Sequence, residues 1–128
     1  MIKVYIASPY TIGDPAVNVR FQIEIGNNLI NMGYAPFIPL LSHFQHLIFP
    51  RHYEDWLKLD MEWISICDCP LRLGGESKGA DREVTRAHEL GKQVFYSVEE
   101  MDNYYNSEYI PIGMTVDNLT QHKNINLM

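Results

Sequence analysis

The chain has 128 residues, and this length and its 46% hydrophobic share fit one soluble globular domain. A formal net charge of −6 argues against a broad surface for nucleic-acid phosphates, which basic side chains normally form. The apolar start, residues 1–7, is too short for a signal peptide or a membrane-spanning helix. We therefore expect a single domain over residues 1–128 that binds neither nucleic acid nor a membrane.

Short apolar runs alternate with helical patterns along most of the chain. In chain order, the predicted elements are a strand over 2–7, a helix over 15–32, a strand over 34–38, a loop over 39–52, a helix over 53–66, a strand over 67–73, a loop over 74–77, a helix over 78–90, a strand over 93–96 and a helix over 98–105. Asp14-Pro15 is typical of a helix start, and Gly33 of a helix end. Beyond residue 106 the pattern predicts no element.

This alternation, with short connections, predicts an α/β fold: a parallel sheet with helices on both faces. In such sheets ligands bind at the carboxyl ends of the strands, where the strand order reverses. The loops at those ends cover residues 8–14, 39–52 and 74–77. We expect the functional site there.

Asp60 lies on the side of its helix, 53–66, that the pattern predicts to be buried. At about 100° per residue it shares a line with Trp56 and Trp63, which we expect in the core, and it lies opposite the polar stripe. A carboxylate on a buried face is unfavourable unless it has partners or a function. Asp60 is therefore either paired inside the fold, for example with Arg20, or part of a site.

Glu83 shows the same anomaly on the next helix. It falls beside the small packing residues Ala80 and Ala87 and not among the charged residues of the outer arc. It is either a helix-terminus carboxylate bonded to loop amides or a functional group. Two carboxyl groups in unequal environments suit glycosidic chemistry, in which one ionised group acts at the anomeric carbon and the other handles protons.

The segment 74–79, Gly-Gly-Glu-Ser-Lys-Gly, leads directly into the helix that carries Glu83. Its glycines let the backbone approach a ligand, and its amides precede a helix N-terminus, where anions bind. The segment matches neither a Walker A motif nor a dinucleotide-binding GxGxxG motif. It is either a simple turn or an anion-binding loop.

Three segments between residues 2 and 96 resemble the nucleoside 2-deoxyribosyltransferase superfamily and follow one another in the same order as in that superfamily. The superfamily includes 2′-deoxynucleoside 5′-phosphate N-hydrolases. Residues 4–10 read Val-Tyr-Ile-Ala-Ser-Pro-Tyr, the opening strand and its loop, as in an uncharacterised branch of the superfamily. Residues 56–60 read Trp-Leu-Lys-Leu-Asp, and residues 77–83 keep an S-x-G-x-x-x-E spacing. The resemblance covers about three quarters of the chain.

The resemblance implies a flavodoxin-like (Rossmann-like) fold and a reaction at the N-glycosidic bond of a nucleoside or nucleotide. By position, Glu83 matches the nucleophile that attacks C1′, Asp60 the carboxylate that contacts the sugar and assists proton transfer, and Tyr5 the tyrosine that orients the nucleophile. Ser77 and Gly79 match the loop at the phosphate or 5′ end of the substrate.

Further substrate-binding residues are expected in the loops around this centre. They are Ser8, Pro9 and Tyr10 after the first strand, Gly75 in the glycine-rich loop, and His43, whose loop is expected to cover the base or to pack its own aromatic side chains. The first loop lacks the arginine that monophosphate hydrolases of the superfamily tend to carry, whereas Ser77 replaces an aspartate common in the transferases. The two departures point in opposite directions, so the phosphorylation state of the substrate stays open.

We predict neither a metal nor a cofactor. His43, His46 and His52 fit no familiar zinc spacing, and the Cys67-Asp68-Cys69 stretch has no second pair of ligands nearby. With only these two cysteines, a reducing cytoplasm is the simplest setting.

The leading hypothesis is an N-glycosidase or deoxyribosyltransferase that uses Glu83 covalently, with hydrolysis preferred to transfer. The resemblance also implies a homodimer or larger homo-oligomer. Two alternatives stay open: a non-catalytic module that binds or sequesters nucleotides on the same fold, and a metal-dependent hydrolase built on the histidine loop.

Overall fold

The computed structural model describes residues 1–106 and places a parallel sheet between two layers of helices. The strands are β1 (Lys3–Ala7), β2 (Ala35–Phe37) and β3 (Cys69–Arg72). The helices are α1 (Pro15–Asn31), α2 (Ser42–Ile48), α3 (Tyr53–Ile66), α4 (Lys78–Glu89) and α5 (Val98–Asn106), with a 3-10 helix at Pro39–Leu41. None of these helices has the length and apolarity needed to cross a bilayer.

The predicted α/β fold of the flavodoxin-like type is confirmed over the described residues. The sheet has the order β2-β1-β3, and both pairings are parallel. Because the chain crosses over β1 between β2 and β3, the strand order reverses at the carboxyl ends of β1 and β3. The crevice expected to hold a ligand therefore lies between the loops that follow these two strands. The remainder of the predicted 1–128 domain lies outside the described residues.

Strand β1 supplies both halves of the core because successive side chains of a strand point to opposite faces. Val4 and Ile6 belong to a buried cluster that also contains Leu29 of α1 and Met101 of α5. On the opposite face, a second buried cluster consists of Tyr5, Ala7, Ile64, Cys67, Ala80, Ala87 and Val94. Helices α1 and α5 thus cover one face of the sheet, and α3 and α4 cover the other.

The predicted fourth strand, 93–96, is reduced in the structure to one parallel bridge between Leu71 and Phe95. Phe95 accepts a backbone hydrogen bond from Arg72 and donates one to Pro70. Only Val94 and Phe95 are buried there, and Tyr96 is exposed. Two buried residues anchor the segment beside β3 but are too few for a ladder. The third strand begins at Cys69 and not at residue 67, since Cys67 is still the C-cap of α3.

The predicted loop 39–52 contains the 3-10 helix and α2, so this prediction was wrong. Pro39 begins the 3-10 helix, where its fixed φ is suitable and its missing N–H costs no hydrogen bond. Helix α2 buries none of its seven residues, and its large apolar side chains, such as Phe44 and Ile48, are exposed. A helix without a buried face leaves no apolar periodicity in the sequence, which explains why the pattern missed it.

Lys92 ties the C-terminal end of α3 to the segment after α4. Its Nζ donates hydrogen bonds to the carbonyl oxygens of Ser65, at 2.9 Å, and Cys67. A cation at a helix C-terminus also interacts favourably with the helix dipole. We expect Lys92→Met to lower the free energy of unfolding by roughly 1–2 kcal/mol in urea denaturation. Lys58→Met, at an exposed position of the same helix, is the matched control, and an equal effect of both changes would contradict this role.

Candidate functional site

The loops after β1 and β3 meet at Pro9 and Gly74. Gly74 has φ +78°, and a Cβ added there would lie 2.7 Å from Cδ of Pro9 and 4.0 Å from Cβ of Ser8. A left-handed backbone and the lack of space both require glycine at this position. The two loops therefore form opposite walls of one crevice at the point where the strand order reverses.

This contact gives a stability prediction. We expect Gly74→Ala to lower the free energy of unfolding by at least about 1–2 kcal/mol, because alanine is strained in a left-handed conformation and its Cβ collides with Pro9. Gly75→Ala is the matched control, since a Cβ at Gly75 meets nothing within 4 Å. Urea unfolding of both variants checks the difference, and similar midpoints for the two would refute it.

The predicted catalytic residues come from three elements and lie close together. Tyr5 on β1 is fully buried, Glu83 on α4 is 8% exposed, and Asp60 on α3 is half-buried. Burial raises the pKa of Tyr5 well above its usual value, and the nearby charges of Glu83 and Asp60 raise it further. The packing of α3 and α4 on the same face of β1 thus brings together residues separated by 78 positions in the sequence.

Burial shifts both carboxyl groups toward their protonated forms. It raises the pKa of Glu83 to about 8, with a further contribution from the charge of Asp60 and opposing contributions from Tyr5 and Arg72. Burial likewise raises the pKa of Asp60 to about 7. Both carboxyl groups therefore gain and lose protons near neutral pH, as general acid–base catalysis requires.

Two buried polar atoms of this cluster lack a hydrogen-bond partner. Tyr5 approaches Glu83 closely enough to lower the pKa of that carboxyl. Nevertheless, neither the hydroxyl oxygen of Tyr5 nor Oε2 of Glu83 makes a hydrogen bond of acceptable geometry within residues 1–106. Buried polar groups are nearly always paired, so two adjacent unpaired atoms from different elements indicate a place where a ligand or water binds.

Buried Glu83 makes stability depend on pH. In the unfolded chain a glutamate titrates near pH 4.3, whereas in the folded protein the pKa of Glu83 is about 8. Between these pH values Glu83 keeps its proton in the folded protein but loses it in the unfolded chain. The contribution of Glu83 to stability is therefore present at low pH and is lost as the pH rises through 8. We expect Glu83→Gln to be stabilising relative to the wild type by roughly 4 kcal/mol more at pH 9 than at pH 5. Thermal unfolding at both pH values measures this, with exposed Glu62→Gln as the control and a pH-independent difference as the contrary result.

The segment 74–79, interpreted as either a simple turn or an anion-binding loop, is built around a helix cap and the largely buried side chain of Arg72. Oγ of Ser77 accepts a hydrogen bond of 3.1 Å from the backbone N–H of Ala80 and so caps α4. Arg72 donates to the carbonyl oxygens of Leu73, at 2.6 Å, and Gly75, at 2.7 Å. These contacts turn the two carbonyl groups toward Arg72 and fix the course of the loop.

Gly79 lies in the first turn of α4 beneath the side chain of Tyr53. A Cβ added at Gly79 would lie 3.3 Å from the Tyr53 hydroxyl oxygen, and the guanidinium of Arg82 lies 6.0 Å from the centre of the Tyr53 ring. The predicted residues Ser77 and Gly79 therefore adjoin an aromatic hydroxyl that the sequence pattern did not assign to the site.

Tyr10 and His43 connect the loop after β1 with α2. The Tyr10 hydroxyl and Nδ1 of His43 are hydrogen-bonded at 2.5 Å, with the donor set by the histidine tautomer. His46 on the same helix accepts a hydrogen bond of 2.9 Å from Nε1 of Trp56. Two histidine contacts thus hold a helix that buries no residue of its own against the rest of the protein.

The histidines of this region do not form a metal site in the structure. Across residues 1–106, no group of three or more His, Cys, Asp or Glu side chains has an arrangement that could hold a metal ion. Nδ1 of His46 is occupied by hydrogen bonds from Trp56 and the backbone of Arg51. The expectation that Trp63 lies in the core was wrong, because its ring is 44% exposed and stacks on Phe37 of the edge strand β2.

Sequence reasoning missed two residues that shape the crevice, Arg72 and Gln22. Arg72 directly follows the buried residues at the end of β3, and a charge at a strand's carboxyl end was a usable signal. Gln22 shares the buried face of α1 with Val19, Gly26 and Leu29. A polar residue at an apolar helical position was the same kind of signal as Asp60 and Glu83.

One family profile matches residues 2–97 of the chain, and the family is described as Domain of unknown function (DUF7768). The matched region contains both walls of the crevice, the three clustered residues and α2. A comparison with curated proteins found no match.

Proposed function

The chain belongs to the DUF7768 family, whose description names no activity, and we propose from the site itself that the protein cleaves the N-glycosidic bond of a nucleoside or nucleoside 5′-monophosphate. The proposal assigns the nucleophile to Glu83, the proton transfers to Asp60 and the orientation of the nucleophile to Tyr5. These roles agree with the resemblance to the nucleoside 2-deoxyribosyltransferase superfamily, and membership of that superfamily is part of the proposal.

The observation that supports this function best is the pair of unpaired buried atoms, Tyr5 Oη and Glu83 Oε2. A purely structural carboxyl at this depth would be expected to have a partner, because an unsatisfied buried polar group costs about 1–3 kcal/mol. A reactive carboxyl instead needs a free oxygen directed at the substrate. Asp60, with a pKa raised to about 7, supplies a second carboxyl that can carry a proton at neutral pH.

In the first step, an oxygen of the Glu83 carboxylate attacks C1′ of the sugar as the bond from C1′ to the base nitrogen breaks. Asp60 donates its proton to the departing base, and the sugar remains attached to Glu83 as an ester. In this step the Tyr5 hydroxyl, which has no hydrogen-bond partner within residues 1–106 of the structure, donates to the ionised Glu83 and fixes the attacking oxygen.

In the second step, a water attacks C1′ on the face that the base has left. The ionised Asp60 takes a proton from this water, and the bond between the sugar and Glu83 breaks. Two displacements at C1′ give net retention of configuration. If a free base replaces the water, the same steps transfer the sugar to that base. Of these two reactions we propose hydrolysis.

The direct test is chromatographic detection of free base from the four 2′-deoxynucleosides, the four ribonucleosides and all of their 5′-monophosphates. Base release by the wild type and none by Glu83→Ala supports the proposal and identifies the substrate class. Adding a second free base to the productive reaction then separates transfer from hydrolysis. Stoichiometric binding of a panel member without turnover would replace the proposal with the nucleotide-binding module, and activity abolished by a chelator would replace it with a metal-dependent hydrolase.

A homodimer or larger assembly remains an expectation from the resemblance, and a cytoplasmic setting remains a prediction from the cysteine content. Sedimentation equilibrium of the full chain tests the first, and a mass equal to one chain would contradict it.

A further inference from the structure

Gln22 is a fully buried amide that connects three parts of the crevice wall. From α1, its Nε2 donates to the carbonyl oxygen of Ile6, at 3.1 Å, and to Oγ of Ser8, at 2.9 Å. Its Oε1 accepts a hydrogen bond of 2.9 Å from the backbone N–H of Leu40. One side chain thus holds the end of β1, the first residue of the following loop and the 3-10 helix that precedes α2.

These bonds determine how Ser8 can interact with a ligand. Nε2 of an amide can only donate, so Oγ of Ser8 must act as the acceptor in the contact with Gln22. A hydroxyl has one proton, and that proton is left to donate elsewhere. The part of the chain that the structure describes offers Ser8 Oγ no other hydrogen-bond partner.

Ser8 lies at the edge of the crevice, beside the loop that follows β3. Ser8 follows β1 at the carboxyl end of the sheet, and its Cβ lies 4.0 Å from the place where a Cβ of Gly74 would be. The residue is 5% exposed, so solvent has little access to the hydroxyl. A buried donor of this kind discriminates strongly between ligands with and without a matching acceptor.

We propose that Gln22 is a positioning residue that fixes the Ser8 hydroxyl as a hydrogen-bond donor to an acceptor atom of the substrate's sugar or base. The inference rests on the proposed function. Through Leu40, Gln22 also fixes the start of the segment that leads into the His43-bearing helix, so the loop after β1 and this segment both depend on one amide.

A double-mutant cycle between Gln22 and Ser8 tests this role. Gln22→Met removes all three hydrogen bonds with little change in volume, and Ser8→Ala removes the hydroxyl. The readouts are kcat and KM for the most active member of the nucleoside and 5′-monophosphate panel, at a temperature where melting curves show every variant folded. We expect Gln22→Met to lower kcat/KM at least about 10-fold when Ser8 is present, and at most about 2-fold in the Ser8→Ala background.

Equal effects of Gln22→Met in both backgrounds would overturn the proposal, because a merely structural change does not depend on the Ser8 hydroxyl. Gln22→Glu serves as the conservative variant, since its protonated carboxyl can donate to Ser8 and accept from Leu40. We expect its kcat/KM, relative to that of the wild type at the same pH, to be highest at low pH and to fall as the carboxyl introduced by the substitution ionises.

A further measurement separates failure of this inference from failure of the proposed function. If the wild type cleaves no panel member, the proposed function fails, and the cycle is repeated on the dissociation constants of the same compounds. Hydrogen exchange of the Leu40 amide tests, even without binding, the Gln22–Leu40 bond on which the positioning role depends. Faster exchange in Gln22→Met than in Gln22→Glu at low pH supports the role, and equal exchange overturns it.

Discussion

We expect Glu83→Gln to release free base at least about 1,000 times more slowly than the wild type, with little change in KM. Glutamine keeps the shape of the side chain but cannot form the ester with C1′, so the covalent step is lost while binding is retained. Steady-state kinetics on the productive nucleoside or 5′-monophosphate measures both constants. Glu62→Gln, which changes an exposed glutamate of α3, should retain full activity.

A second variant distinguishes the nucleophile from a residue that only supports the fold. Glu83→Ala leaves space beside C1′, and azide in the assay can occupy it and attack the sugar directly. We expect azide to restore base release and to yield a glycosyl azide of inverted configuration, because only one displacement then takes place. Activity of Glu83→Gln within about 10-fold of the wild type would exclude a covalent role for this residue.

The second large effect concerns Asp60 and the pH dependence of the reaction. The active form requires Glu83 ionised and Asp60 protonated, and the pKa values of the two groups are about 8 and about 7. We therefore expect kcat/KM of the wild type to follow a bell-shaped pH profile with its maximum at roughly pH 7.5, because kcat/KM reports the titration of the free enzyme. The two limbs belong to the pair as a whole, since the groups interact.

Asp60→Asn should lower kcat/KM about 100- to 10,000-fold and remove the alkaline limb of the profile, since asparagine donates no proton to the departing base. The acid limb should remain in this variant, because it reports the ionisation of Glu83. An N7-methylated purine nucleoside carries a cationic base that leaves without protonation, and its cleavage should depend less on Asp60. An unchanged alkaline limb in Asp60→Asn would assign the proton transfer to another group.

Local sequence signals predicted the helix bounds well where a cap is encoded in neighbouring residues. Asp14 accepts a hydrogen bond of 2.9 Å from the backbone of Ala16, and Pro15 begins α1. Ser77 likewise caps α4, which begins at residue 78 as predicted. These signals are reliable because a cap is formed within a few residues and depends little on the rest of the fold.

The sequence was less informative where an element depends on distant contacts. The segment around Phe95 has a strand-like composition, but its length is set by how far β3 extends beside it. Helix α2 is attached through Tyr10 and Trp56, which lie 33 and 10 positions from their histidine partners. Trp63 was misplaced because an amphipathic line shows which face is apolar but not how much of that face the short strand β2 can cover.

By itself the sequence determined the α/β class, the alternation of strands and helices, and the presence of two carboxylates on faces that should be apolar, because these follow from local periodicity and capping. Only the tertiary structure decided that Tyr5, Asp60 and Glu83 meet, that Gly74 lies against Pro9, and that Gln22 connects Ser8 with Leu40. The raised pKa values of Asp60 and Glu83 depend on the same packing. Desolvation and proximity arise when α3 and α4 close over β1, so they are properties of the folded chain and of no single segment.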